Sequence, residues 1–148
     1  MSRTSDLSDC QPDVIDADYI APNIDTDEEE IFAKDACLYK FSFDKDDWLG
    51  RGNGVLKILK NNETGTYRLL MRQSRTYKLR INHLVPYFGN LKVCQKSDRQ
   101  FMWSAYDSVM GEEERGVFAV RFATPEIATA FQSAFVAGQE ANKAIVDK

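Results

Sequence analysis

Seven basic residues and no acidic one lie between Glu63 and Asp98: Arg68, Arg72, Arg75, Lys78, Arg80, Lys92 and Lys96. Within this window, Tyr67, Leu69 and Met71 alternate with Arg68, Leu70 and Arg72. Tyr77, Leu79 and Ile81 alternate with Lys78 and Arg80. Strand periodicity sends the apolar set inward and the basic set outward. A register with Arg72 opposite Thr76 also sets Leu70 opposite Lys78 and Arg68 opposite Arg80. It keeps Met71–Tyr77, Leu69–Leu79 and Tyr67–Ile81 inside. Like charges facing each other across strands repel, and an external anion relieves that repulsion. The predicted chemistry is anion binding by Arg68, Arg72, Lys78 and Arg80. The plainer alternative is a solvated sheet face, onto which the acidic N-terminal segment folds back.

Covalent and metal chemistry have no comparable support. His83 is the only histidine, too few for a histidine metal centre, and no nucleophile is placed near it by spacing. Cys10, Cys37 and Cys94 form no close pair, which argues against a disulfide scaffold or thiolate zinc site and for a reducing compartment. Cys37 reads as a small buried hydrophobe. The GRGNG run at 50–54 lacks the following helix that a phosphate cradle needs, so it reads as a turn. There is no P-loop and no nucleophile elbow. No apolar run reaches the roughly 18 residues of a membrane span, and the N-terminus lacks the order of a signal peptide. Trp103 reads as core. Trp48, in a polar glycine-rich segment, reads equally as a partner anchor or as core.

The net charge of −4 over 148 residues hides a division. Residues 1–35 carry 11 acidic and two basic residues; the remainder carries 12 and 17. Residues 1–27, with scattered Asp and no sustained period, are expected to be disordered. Glu28, Glu29 and Glu30 followed by Phe32 suggest either a docking arm anchored by Phe32 or a solvated tail. Removing residues 1–35 is expected to leave a folded domain.

The elements that must position these residues follow from periodicity. A strand spans 36–43, with Cys37, Tyr39, Phe41 and Phe43 inward. A turn is expected over 48–54, and further strands at 55–60, 66–72, 76–81, 90–94, 100–106 and 116–122. A helix begins at Pro125 after the N-cap Thr124 and runs to about residue 143. Its apolar stripe is Ile127, Phe131, Ala134, Phe135 and Gly138. The fold class is mostly β: a pleckstrin-homology-like barrel or sandwich of about seven antiparallel strands, capped by one C-terminal α-helix. Such a fold serves lipid, peptide and protein recognition. Nucleic acid is a poor ligand for so weakly basic a domain without a stacking motif. Asp44, Asp46 and Asp47 in the first hairpin loop oppose a phosphoinositide headgroup. An acidic peptide fits the basic face better.

Residues 28–141 resemble the Ran-binding domain. The resemblance is carried by EEEIFAKDACLYKFSF (28–43), W-x-x-RG-x-G (48–54), RLLMR with TYKL and NH (68–83), SDRQFMWSAYD (97–107) and FAVRF (118–122). It implies a non-enzymatic domain over residues 28–145 that binds the small GTPase Ran in its GTP form. The GTPase's acidic C-terminal tail is expected on Arg68, Arg72, Lys78 and Arg80. The acidic arm, Glu28, Glu29, Glu30 and Phe32, is expected to reach a basic patch on the GTPase. Trp48 and Arg51 supply further contacts, and Asn82 of the NH pair completes the set. No cofactor is implied, since GTP and magnesium belong to the partner; no nucleic acid or membrane partner is implied either. Complexes with the Ran GTPase-activating protein and transport receptors are implied. So is a cytoplasmic location, shuttling or associated with the nuclear pore. Leu49-Gly50 stands where a Lys-Glu pair is common in the family, and the loop 84–90 also departs from it. With only residues 144–148 beyond the expected helix end, no autonomous export segment is expected.

Overall fold

The computed structural model describes residues 27–89, 91–93, 97–107 and 114–146. The expected disorder of 1–27 therefore falls outside the described residues except at Asp27. Seven strands form one antiparallel sheet: β1 (Glu28–Ser42), β2 (Asp47–Asn61), β3 (Tyr67–Arg72), β4 (Leu79–Leu84), β5 (Lys92–Val93), β6 (Gln100–Asp107) and β7 (Glu114–Phe122). One helix, α1 (Pro125–Val146), follows. The order across the sheet is β4-β3-β2-β1-β7-β6-β5. This is the expected fold class. The sheet curls far enough for its flanks to meet. Trp103 on β6 donates its indole N–H to His83 Nε2 on β4 across 3.1 Å, and both side chains are buried.

The helix begins as its cap dictates. Thr124 Oγ1 accepts the Ile127 N–H at 3.2 Å, and Pro125 occupies the first turn, where it sacrifices no hydrogen bond. The helix runs three residues beyond the expected end. Phe131 and Phe135 project into the sheet among Phe101, Trp103, Phe118 and Phe122. Asn142, which sequence reasoning passed over, pins the last turns. Its amide accepts the Tyr67 N–H (2.8 Å) and donates to the Tyr67 and Val85 carbonyls (2.9 and 2.8 Å). A buried amide of this kind completes backbone groups that would otherwise lose water without replacement.

Four local expectations are corrected. First, β1 starts at Glu28, and its N-terminal half pairs with β2 from Glu28↔Asn61 onward. Removing residues 1–35 therefore deletes half of a central strand, and the expected folded remnant does not stand. Second, 48–54 is strand and not turn. Gly54 is there because a Cβ would collide with the Arg72 carbonyl oxygen, so the backbone at the end of β3 seats directly on β2. Third, Ala36 and Leu38 face the main core, while Cys37 and Tyr39 join a smaller cluster with Ala119, Trp48 and Met102 on the opposite face. Both faces of β1 are covered, so alternation cannot tell which one meets the helix. The Cys37 sulfur is disulfide-bonded and not a free thiol; the other two cysteines lie outside the described residues.

The fourth correction concerns the β3–β4 register. Met71 opposes Ile81, Leu69 opposes His83, Leu70 opposes Asn82 and Arg68 opposes Leu84. The pairing is displaced by four residues at Arg68. The connection is a six-residue loop, 73–78, with left-handed backbone at Arg75 (φ 73°) and Tyr77 (φ 64°). Gln73 fastens this loop to β2. Its amide accepts the Asn53 N–H at 3.0 Å and donates to Asn53 Oδ1 at 2.5 Å, while Ser74 N–H donates to the Asn53 carbonyl at 2.9 Å.

Candidate partner-binding surface

The basic residues of the hairpin do not form the expected cross-strand ladder. Arg68 projects from β3 onto β1. Its Nε and Nη2 donate to the two Glu28 carboxylate oxygens at 2.7 Å each, and its Nη1 donates to Asn82 Oδ1 at 2.8 Å. The Glu28 side chain is only 5% exposed. Two residues expected to meet a partner thus satisfy each other within the chain, and Asn82 with them. A fork-to-carboxylate pair of this geometry is the strong form of the charge-assisted hydrogen bond. Further along β1, Glu30 pairs with Lys57 at 2.7 Å, and Glu29 is exposed. Phe32 is no surface anchor. It is buried in the core, edge-on to Phe122 and Phe131 at 5.6 and 5.5 Å.

Three cations of this hairpin stay at the surface, at the end of β3 and on the β3–β4 loop. Arg72, Arg75 and Lys78 are exposed, and none has an acidic partner among the described residues. Arg72 donates to the Tyr77 carbonyl at 3.2 Å. Beneath them, Arg51 Nε donates to the Arg80 carbonyl at 3.0 Å. The aliphatic stem of Arg80 lies against Gly52, and its enclosed Nε has no hydrogen-bond partner. Arg75 was not among the expected contacts. Its only signal was membership of the acid-free window.

A second part of the surface lies at the β1–β2 hairpin. Trp48 is half-buried and stacks edge-on against Phe41 (5.4 Å); Phe43 packs on the other side of Phe41 (5.0 Å) and is 72% exposed. A cavity of about 450 Å3 opens beside them, and its lining includes Phe41, Phe43, Leu49, the cations Lys40, Arg51 and Arg115, and the acid Asp44. Trp48 therefore packs against the small Cys37–Tyr39–Ala119 cluster while keeping part of its ring at the surface. An exposed apolar patch bordered by charged residues is the composition of a protein-binding surface.

Between the two parts, Asp35 sits on β1. Its Oδ1 is buried and lacks a hydrogen-bond partner, and burial raises the carboxyl above the ordinary aspartate range. The native state then holds this proton more tightly than the unfolded chain. The residue favours folding below the ordinary aspartate range and disfavours it as pH rises through the raised value. Asp35→Asn is therefore expected to raise Tm by a few degrees at pH 7 and to give no gain near pH 3. Thermal melts at the two pH values check this, and a neutral or lowered Tm at pH 7 contradicts it.

A curled seven-stranded sheet plugged by one amphipathic helix, with charged and aromatic residues gathered on its outside, defines a pleckstrin-homology-like binding module. Residues 22–141 match the RanBP1 domain family, and the chain belongs to it. The chain is 36% identical to the E3 SUMO-protein ligase RanBP2 of Homo sapiens over 121 residues, 82% of this chain and 4% of that protein. It thus spans only a small part of that much longer relative. Among solved structures it resembles the Ran-binding domain of the nuclear complex component Nup2 of Ashbya gossypii, with TM-score 0.66 and 21% identity. The match covers 78% of this chain and 97% of that one. A second structure, of the Ran-binding domain of the nuclear pore complex component NUP2 of Ashbya gossypii, aligns with TM-score 0.61 and 22% identity over 76% and 98% of the two chains. These two likenesses show the fold.

Proposed function

We propose that this domain binds the small GTPase Ran in its GTP-bound form, frees it from transport receptors and assists its GTPase-activating protein. The domain contributes binding and not catalysis; GTP and magnesium sit on the partner. The observation that carries this reading is the trio Arg72, Arg75 and Lys78, solvent-facing and without acidic partners among the described residues, on a chain of the RanBP1 domain family. Cations so placed attract an acidic segment and speed its arrival. Trp48, Phe43 and Arg51 offer the desolvated contacts that slow its departure. The phosphoinositide reading is weaker, because exposed Asp44 and Asp46 stand in the first hairpin turn. The likeness to a nuclear pore complex component supports a place at the pore.

Immobilised domain is expected to retain Ran loaded with GTP and to release Ran loaded with GDP. Arg72→Glu with Lys78→Glu is expected to weaken the GTP-form complex by about 100-fold, with most of the loss in association rate and the effect largest at low salt. Equal retention of both nucleotide forms, or none, refutes the reading. An unchanged affinity in the double variant moves the contact elsewhere.

A further inference from the structure

Glu28 and Glu30 at the start of β1 lie on Arg68 of β3 and Lys57 of β2. The chain thus already lays acidic residues of its N-terminal part over cations of the sheet. Arg72 stands four residues beyond Arg68 on the same strand, about 13 Å along it, and the loop that carries Arg75 and Lys78 follows at once. These three are exposed and have no acidic partner among the described residues. Neighbouring cations repel, and an anionic segment laid across them relieves that repulsion.

The sequence upstream carries the matching charge. Residues 1–26 hold six acidic residues and one basic one. Three of the six, Asp13, Asp16 and Asp18, fall within 13–20 among Val14, Ile15, Tyr19 and Ile20, with no basic residue between them. The point of attachment is fixed. The Asp27 carbonyl accepts the Asn62 N–H at 2.7 Å, and Glu28 is held by Arg68. Glu28 lies eight residues after Ile20, a stretch that reaches at most about 28 Å. That is about twice the step from Arg68 to Arg72. Pro22 and Asn23, both turn-forming residues, fall within this stretch, where the chain has to reverse to reach the trio.

We propose that residues 13–20 dock on Arg72, Arg75 and Lys78 of their own domain, with Asp13, Asp16 and Asp18 as the counter-charges. A segment tethered by so few residues acts at an effective concentration of about 1 mM. A contact with Kd of about 1 mM, too weak to hold a free peptide, then closes about half of the molecules. Salt opens it, since the cations face solvent. The trio is the one assigned above to the GTPase, so the segment is a built-in competitor. It slows association, and a partner must present a more strongly bound acidic segment to displace it. That consequence rests on the GTPase reading; the docking itself does not.

Zero-length coupling with a water-soluble carbodiimide tests the docking on the full chain alone. The reagent joins a carboxylate to a lysine amine as an amide, with loss of water, only where the two touch. Peptide mapping by mass spectrometry reads the pairs. Lys78 is expected to be joined to Asp13, Asp16 or Asp18 about tenfold more often than Lys92, an exposed lysine also without an acidic partner among the described residues. The pairs persist on dilution to about 1 µM, because a tethered contact does not depend on protein concentration. They fall about tenfold in about 0.5 M NaCl. They fall as far in Arg72→Glu with Arg75→Glu, which keeps the lysine. Coupling of Lys78 no more frequent than that of Lys92 overturns the proposal. So does coupling that grows with concentration into linked dimers, which assigns the trio to a second copy. With GTP-loaded GTPase, Asp13→Asn, Asp16→Asn and Asp18→Asn together are expected to raise the association rate about three- to tenfold at low salt. An unchanged or lower rate overturns the competition. A chain that fails to bind the GTPase must still give the Lys78 coupling, so the two readings fail separately.

Discussion

Phe131→Ala is expected to lose about 3–5 kcal/mol of stability, the range for truncating a fully buried phenylalanine. Phe131 is fully buried, and its ring lies 5.0–6.0 Å from those of Phe32, Phe101, Trp103, Phe122 and Phe135. No neighbour can swing into the void without leaving its own partners, so the cavity persists and adds to the lost transfer energy. Against a total stability of about 5–15 kcal/mol, Tm drops by about 10 °C or more. Phe43→Ala, at an exposed position on the hairpin, is the matched control and leaves Tm within a degree or two. Thermal unfolding followed by near-UV circular dichroism measures both. Equal melting of the two variants would show that the helix does not plug the sheet as described.

The second large effect concerns Glu28 and Arg68. Arg68→Glu places two carboxylates where a bidentate pair stood, with the Glu28 side chain already removed from water. Breaking one side of such a pair costs about 3 kcal/mol or more, chiefly because the survivor keeps its desolvation without its partner. Adding Glu28→Arg to the same chain restores an opposite-charge pair and is expected to recover most of that stability. The double reversal separates two roles that the single variant confuses. If the restored domain also regains GTPase affinity, the pair only organises β1 against β3. If stability returns and affinity does not, the Arg68 face itself touches the partner. A single variant as stable as the parent would mean that the pair contributes nothing, and its geometry would then be incidental.

Deletion of residues 1–35 belongs with these two variants. Phe32 and Glu28, the acidic half of the Glu28–Arg68 pair, both lie in the deleted stretch, and the residues before Ala36 pair with β2. The charge run at 27–30 drew attention to the acids and away from the apolar residues among which they sit. A like-charge run is compatible with a tail, but it also suits the end of a strand whose neighbours β2 and β3 supply Lys57 and Arg68 as counter-charges.

Local chemistry was enough for much of the fold. A Thr-Pro cap and a 3–4 spacing of phenylalanines specify a helix wherever they occur, because its hydrogen bonds close within four residues. Alternation specifies strands for the same reason of short range, and the turn signals separate most of them. The acid-free window marked where cations gather, since composition alone sets that. Other features depend on partners far apart in sequence. The β3–β4 register turned on Gln73 reaching Asn53, twenty residues away, which holds a six-residue loop in place of a tight turn. Which face of β1 met the helix, whether Arg68 stayed free, and whether Phe32 stood outside were settled only once β1, β3 and α1 came together. Charge and periodicity are properties of a segment, whereas pairing and burial are properties of what lies across from it.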